Sequence, residues 1–252
     1  MAQQLLSTCG LIGTDQQPFP AVTFIKQNCG TDGSFLVATI LGQRLKPAPG
    51  SLNNRDHRVL LIASHHSYSH YSSACLKLTY NLGPARECGQ LQVIDTGSEL
   101  LQNYPRLEPT LEQLQARIFA FMDESPKSTV ILDDVSLFLN LGHSENQLID
   151  LVEALVEKQT PEQQLVIKLN TADLYKVLCA NLDDLAQTEL QLEPLASGNF
   201  REVDGRLSIH RYPGKNHDRL FFVKQLDRSV LYKVNDRNVK LFAPGELGIK
   251  HL

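Results

Sequence analysis

Short, almost uninterrupted apolar runs are the feature that most constrains how this chain can fold. They cover residues 58–63, 90–95, 129–132 and 164–169, and a shorter β-prone run covers residues 21–25. A strand with apolar residues at consecutive positions is buried on both of its faces, which is typical of a parallel sheet between two layers of helices. Right-handed crossovers between such strands predict a three-layer α/β/α domain with a mainly parallel central sheet.

Segments with helical spacing lie between these runs. They cover residues 34–45, 69–82, 109–122 and 144–158. In the third segment Leu111, Leu114, Ile118 and Phe121 recur at the spacing of one helix face. The fourth segment begins at Ser144, a residue type that commonly caps helix N-termini. We therefore expect helices to connect the buried strands.

The last quarter of the chain has shorter, partly alternating runs. They cover residues 188–195, 206–211, 219–223, 230–234 and 239–242. Turn-like pairs such as Asp204-Gly205 and Asn235-Asp236 separate them, which predicts antiparallel strands and hairpins. A parallel α/β core followed by antiparallel strands is the order found in RecA-type ATPases. We predict a single RecA-like domain over residues 21–252 and leave the N-terminal segment, residues 1–20, unassigned.

Composition argues against several classes of protein. The 24 basic and 28 acidic residues give a formal net charge of -4, which provides no bulk attraction to nucleic acid or to an anionic membrane. The five cysteines include no C-x-x-C pair, so we expect neither a disulfide framework nor a structural zinc site. We find no signal-peptide pattern and no apolar run near the roughly 20 residues of a membrane span. We expect a soluble intracellular protein without a cofactor.

The turn after the first core strand is where a RecA-type ATPase would carry its phosphate-binding loop. The motif G-x-x-x-x-G-K-[ST] cradles phosphates with backbone N–H groups, a lysine and a hydroxyl that holds Mg²⁺. If Gly33 is the second glycine, the first glycine position holds Asn28, the lysine position Ser34 and the hydroxyl position Phe35. Three of the four defining residues are absent. The sequence therefore predicts a degenerate loop without nucleotide binding.

A second ATPase landmark is an apolar strand that ends in an acidic residue supporting Mg²⁺. Asp133 and Asp134 follow such a strand. Without the lysine and the hydroxyl, we interpret both carboxylates as structural acceptors of hydrogen bonds from loop backbone or as helix caps. We predict no ATPase activity and no catalytic residues in this chain.

The histidines His65, His66 and His70 form a cluster in the sequence. His66 and His70 are four residues apart, as on one face of a helix, and could share a zinc ion, but no neighbouring Cys or acid completes a site. A polar loop leading into a helix is the interpretation we favour.

Ser67, His70 and Asp95 are the residue types of a hydrolase triad, but the G-x-S-x-G turn of such enzymes is missing. We therefore interpret them as residues of a polar loop beside a strand end.

Basic residues alternate with aromatic ones in the C-terminal strands. Arg201, Arg206, Arg211 and Lys215 lie there, near Tyr212. Basic and aromatic side chains on strands are typical of surfaces that bind single-stranded RNA. Charged residues also protect strand edges from unwanted pairing, and the local pattern favours that second interpretation. These four residues are our candidate RNA contacts.

Several stretches, taken in order, resemble one known family. They are residues 31–37, 66–72, 85–91, 132–136, 139–142, 198–209, 232–233 and 242–245. Through them the chain is similar to the Elongator complex protein 6 family from about residue 23 to residue 245. The segment 1–20 lies outside the clear match.

This resemblance implies more than the residues show by themselves. Members of the family are RecA-type domains without nucleotide-binding motifs. They form a hetero-hexameric ring with Elongator subunits 4 and 5, which docks on the other subunits, binds tRNA and supports modification of the wobble uridine. The acetyl-transfer chemistry belongs to another subunit, and the complex occurs in the cytoplasm and nucleus. The alternative is a degenerate RecA-type ATPase that still binds nucleotide, and Mg²⁺-dependent stabilisation by nucleotide would distinguish it.

Overall fold

The computed structural model describes residues 2–11, 19–46, 57–106, 109–196, 201–212 and 226–243. The helices are α1 (Ala2–Thr8), α2 (Ser34–Leu45), α3 (Tyr68–Lys77), α4 (Gly83–Glu87), α5 (Thr96–Gln102), α6 (Leu111–Glu124), α7 (Ser136–Asn140), α8 (Glu145–Lys158) and α9 (Lys176–Leu185), with a 3₁₀ turn at Asp173–Tyr175. The strands are β1 (Val22–Gln27), β2 (Arg58–Ala63), β3 (Leu91–Asp95), β4 (Ser128–Asp133), β5 (Gln163–Asn170), β6 (Thr188–Glu193), β7 (Gly205–Arg211), β8 (Leu226–Asn235) and β9 (Asn238–Phe242).

The described strands form one sheet in the order β3-β2-β4-β5-β1-β6-β7-β8-β9. The neighbours from β3 to β6 all pair in parallel, whereas β6 to β9 pair antiparallel. This architecture is a three-layer α/β/α RecA-like fold with a mainly parallel sheet and antiparallel C-terminal strands, as the apolar runs predict.

The parallel strands are buried on both faces because helices cover each side. Along β2, Val59 and Leu61 belong to a core cluster that includes residues of α2 and α3. Leu60 and Ile62, on the opposite face, belong to a cluster with residues of α6, α8 and α9. Consecutive apolar residues therefore enter two different cores, which explains the missing polar alternation.

The strands β7 and β8 are different because only alternate residues are buried. Leu207 and Ile209 of β7 lie in the first core cluster together with Val230 and Tyr232 of β8. The residues between them point to the other side of the sheet and are partly or fully exposed. We call this second side the polar face; it contains Arg206, Ser208, His210, Ser229 and Lys233.

The prediction of a helix over residues 69–82 is wrong at the C-terminal end. α3 begins after Ser67, whose hydroxyl caps it, and ends at Lys77. Thr79 has a φ of 70°, a left-handed conformation that a helix does not accept. A separate short helix, α4, follows. α5, α7 and α9 were not anticipated, and the strand expected at residues 219–223 lies outside the described residues.

The N-terminal segment that the sequence left unassigned contributes to the core. Leu5 and Leu6 of α1, followed by Cys9 and Leu11, are buried in the first core cluster. α1 contacts both α2 and β9. The first and the last described elements of the chain therefore pack against each other. In the part of the chain that the structure describes, the helices are too short or too polar to cross a membrane.

Candidate functional site at the carboxyl edge of the sheet

The loop between β1 and α2, residues 28–33, lies where parallel strands end and where ligands of α/β proteins bind. Its backbone is fixed to neighbouring strands. The Asn28 N–H donates to the Leu192 carbonyl over 3.0 Å, and the Asn28 Oδ1 accepts from the Thr171 hydroxyl over 2.7 Å. Asn28, at the position of the first P-loop glycine, thus links the ends of β5 and β6.

Close packing around Gly33 favours a residue without a Cβ. Its φ is -91°, which any residue can adopt, but a Cβ would lie 2.8 Å from Leu192 Cδ1 and 3.2 Å from Gln27 Oε1. The Gly33 N–H donates to that same Gln27 oxygen over 2.7 Å. The glycine therefore has a structural reason that involves no nucleotide.

Asp32 occupies the N-terminus of α2, where a P-loop would hold phosphate. Its two carboxylate oxygens accept from the Ser34 N–H and from the Ser34 hydroxyl, both over 2.8 Å, and its Oδ1 lies 3.6 Å from His66 Nε2. Partial burial opposes ionisation, but the interactions with His66 and Ser34 together hold the pKa of Asp32 well below its usual range. A negative charge therefore already lies beside the first N–H of this helix, as the helix dipole favours, and it repels phosphate.

Phe35 stands where a P-loop carries its Mg²⁺-binding hydroxyl. Its side chain is buried, and its ring centroid lies 5.1 Å from that of Tyr232 on β8. The position is thus part of the core between α2 and the antiparallel strands. An aromatic side chain there has no ligand for a metal ion.

Asp133 ends β4 and forms an ion pair with Lys168 of the neighbouring strand β5. The Lys168 Nζ lies 2.9 Å from Asp133 Oδ1, and both side chains are fully buried. The other carboxylate oxygen accepts from the His66 N–H over 3.2 Å. The sequence prediction did not include Lys168. A lysine inside an apolar run of a central strand does indicate a buried ion pair, because a buried lysine needs a partner.

Asp134 is held by a different set of donors. Its Oδ1 accepts from the Ser136 N–H over 3.0 Å, the Ser136 hydroxyl over 2.5 Å and the Asn170 N–H over 3.2 Å. The Asn170 side-chain amide donates to Oδ2, and His65 Nδ1 lies 3.5 Å from it. These contacts hold Asp134 at a φ of 66°. Both strand-end acids thus accept hydrogen bonds from the protein itself.

The histidine cluster is stacked. The rings of His66 and His70 lie 3.9 Å apart with an interplanar angle of 10°, and His65 meets His66 edge-on. Burial lowers the pKa of both His65 and His70. Stacked parallel rings do not direct their nitrogens to a common point, and no group of three or more potential ligands for a metal occurs within the described ranges.

Two of the three residues with triad chemistry, Ser67 and Asp95, are helix caps. The Ser67 hydroxyl accepts from the His70 N–H over 3.4 Å at the start of α3. Asp95 accepts from the Ser98 N–H over 3.0 Å at the start of α5, and from the Tyr68 N–H over 3.3 Å. These contacts belong to helix starts and form no Ser–His–Asp relay.

The candidate RNA contacts do not share one surface. Arg201 is exposed before β7, and Arg206 is exposed on the polar face. Arg211 is buried on the opposite side of the sheet, where its Nη1 donates to the Gly10 carbonyl over 3.0 Å. Lys215 lies outside the described residues. Alternation along β7 therefore separates Arg206 from Arg211, a distinction that a count of basic residues does not make.

Comparisons with known proteins give a consistent result. No family model matches the chain. The chain is 32% identical over 263 residues to Elongator complex protein 6 of Drosophila melanogaster, with 99% of this chain and all of the relative covered. Proteins with the same name from Xenopus tropicalis and Homo sapiens are 31% and 27% identical, each over 85% of this chain and 87% of the relative. The chain therefore belongs to the Elongator complex protein 6 family.

Proposed function

We propose that this chain is a non-catalytic subunit of the Elongator complex and assembles with subunits 4 and 5 into a hetero-hexameric ring. The observation that carries the proposal is the 32% identity with a protein named Elongator complex protein 6 along 99% of the chain. Head-to-tail contacts between subunits close into a ring when the rotation between neighbours allows it, so the function of a RecA-like domain can lie in assembly rather than in chemistry.

The contacts at the β1–α2 loop support the non-catalytic part of this proposal. Asp32 fills the phosphate position with a negative charge, and the buried Phe35 replaces the Mg²⁺ ligand. Lys168 of β5 cannot replace the P-loop lysine, because it is buried in an ion pair with Asp133. Phosphoryl transfer needs cations placed around the transferred group, and the loop supplies none.

Co-expression with subunits 4 and 5 tests the assembly. We expect native mass spectrometry to give the mass of a six-subunit particle that contains all three chains. A chain that stays monomeric in the presence of both partners would refute the ring.

A single-turnover assay with γ-labelled ATP tests the absence of catalysis. We expect no phosphate release above the background of buffer alone. Asp133→Ala is unsuitable as a control because it leaves the buried Lys168 ammonium without its partner; Ser34→Ala is the milder variant. Phosphate release that follows the protein through size-exclusion chromatography and changes in Ser34→Ala would favour a degenerate ATPase instead.

We also propose that the assembled ring binds tRNA and supports wobble-uridine modification, in both cytoplasm and nucleus. On this chain Arg201 and Arg206 are the exposed candidates, Lys215 stays a prediction, and Arg211 is left out because it is buried. In the assembled ring, charge reversal at Arg201 and Arg206 should weaken tRNA binding and lower the salt-dependence slope by about 0.7 to 0.9 per lost phosphate contact. Lys127→Glu, at the amino edge of the sheet, is the matched control. Cell fractionation tests the two compartments.

A further inference from the structure

A cleft of about 480 Å³ opens beside the β1–α2 loop, between that loop and the ends of β7 and β8. Its lining includes Thr31, Asp32, Phe35, Asp204, Tyr232 and Val234. The cleft therefore combines two carboxylates with an aromatic and aliphatic wall. It lies where a P-loop protein would hold phosphate, but it has the opposite charge.

Both carboxylates keep unused capacity to accept hydrogen bonds. Each oxygen of Asp32 accepts one bond from Ser34, and Asp204 accepts one from Lys233 Nζ over 2.5 Å and one from the Val234 N–H over 2.7 Å. A carboxylate offers about four lone-pair sites. Lys233 balances the charge of Asp204, whereas among the described residues the ionic partner of Asp32 is the imidazole of His66. The cleft thus has an excess of negative charge.

Tyr232 adds a buried polar group to the same cleft. Its side chain is 2% exposed, and its hydroxyl has no hydrogen-bond partner in the part of the chain that the structure describes. Burial raises the pKa of Tyr232, and the nearby carboxylates of Asp204 and Asp32 raise it further. The hydroxyl therefore stays protonated and lacks a partner that a ligand in the cleft could supply.

The wall of the cleft suits an aliphatic stem. The rings of Phe35 and Tyr232 pack at a tilt of 32°, and Val234 is 39% exposed. Long basic side chains bury their methylene groups against apolar surface and extend their charge to polar groups. A phosphate, by contrast, would meet two carboxylates.

We infer that this cleft binds the guanidinium group of an arginine side chain presented by a partner protein. The planar guanidinium has five donors and can donate to several acceptors at once, as a cleft lined by Asp32, Asp204 and Tyr232 offers, whereas a lysine is a point charge. The inference rests on the proposed function only in taking the partner to be a neighbouring subunit, since the cleft and its charge belong to this chain alone.

Titration of the isotope-labelled full chain with capped arginine (N-acetyl-arginine amide) at low salt tests the site. We expect saturable shifts of the amide signals of Thr31, Asp32, Ser34 and Val234 in ¹H–¹⁵N spectra. Capped citrulline has the same shape without the charge and should produce no saturable shift. Binding should weaken as ionic strength rises.

Three conservative variants connect binding to the cleft. Asp32→Asn keeps a side-chain oxygen that can accept from the Ser34 N–H, Asp204→Asn removes the second charge, and Tyr232→Phe keeps the packing. Each should lower the affinity for capped arginine by roughly fivefold, which is the scale of a solvent-accessible charge pair for the two Asp variants and of one hydrogen bond for Tyr232→Phe. Asp173→Asn, an exposed acid in a different groove, should leave the affinity unchanged.

The binding experiments have outcomes that either support the arginine site or overturn it. Loss of binding in the three variants but not in Asp173→Asn supports the inference. Equal shifts with citrulline, no saturable shift with arginine, or displacement of arginine by Mg-ATP would overturn it. None of these results depends on whether the ring assembles, so failure here is distinguishable from failure of the proposed function.

Discussion

The parallel strands and the strands β7 and β8 accommodate charge in two different ways. In the parallel region both faces are covered, and Lys168 is tolerated there because Asp133 lies 2.9 Å away. In β7 and β8 the described residues cover only one face, so Arg206 and His210 remain in contact with solvent there. A charged residue therefore needs an oppositely charged partner in the parallel region. In β7 and β8 it needs only a position whose side chain lies on the polar face. The predictions below test that difference.

Lys168→Met should have the largest effect. It leaves the Asp133 carboxylate buried without its counter-ion, so we expect the free energy of unfolding to fall by about 3–5 kcal/mol. Urea denaturation followed by circular dichroism measures this.

The double variant Lys168→Met/Asp133→Leu is the matched control for that experiment. Replacing a buried ion pair by apolar side chains is often neutral or stabilising, so the double variant should recover most of the lost stability. If the double variant loses as much unfolding free energy as the two single variants together, Lys168 and Asp133 contribute to stability independently, and this interpretation of the ion pair is wrong.

Leu207→Ala and Ser208→Ala test the two faces of β7 directly. Leu207 is fully buried, and its truncation should destabilise the chain by about 2–5 kcal/mol. Its neighbour Ser208 lies on the polar face, and its substitution should change stability by less than about 0.5 kcal/mol. Similar losses in thermal stability for both variants would mean that the polar face is covered.

His57, which immediately precedes β2, is a titratable group next to the strands that are covered on both faces. Burial, together with nearby Arg44 and Lys127, lowers the pKa of His57 from 6.5 to about 4. Between these values the unfolded chain binds a proton that the folded chain does not, so stability falls as pH decreases from about 6.5 to 4. The loss is up to about 3 kcal/mol. Denaturation at several pH values should show a weaker dependence in His57→Gln than in the unsubstituted chain, and parallel profiles would count against it.

The elements predicted well from the sequence are those whose signals are local. The buried strands follow from apolar runs, and Ser144 begins α8 with a capping box completed by Gln147. The end of α3 was missed because nothing local announces the left-handed Thr79. α9 was missed although Leu178 and Leu182 have helical spacing, since its polar residues dilute the pattern.

The candidate site was predictable only by what it lacks. The sequence shows that Asn28, Ser34 and Phe35 replace P-loop residues. It does not show that Gly33 meets Leu192 or that Phe35 packs on Tyr232. These two contacts join residues about 160 and 200 positions apart in the chain, which only the folded topology brings together.

The packing of α1 against β9 has a consequence for synthesis on the ribosome. α1 is a seven-residue segment, too short to hold its helical shape alone. Part of its packing comes from β9, which lies more than two hundred residues later in the chain. The ribosome therefore makes α1 long before β9, and a chain cut short before residue 238 leaves α1 without its contacts to that strand.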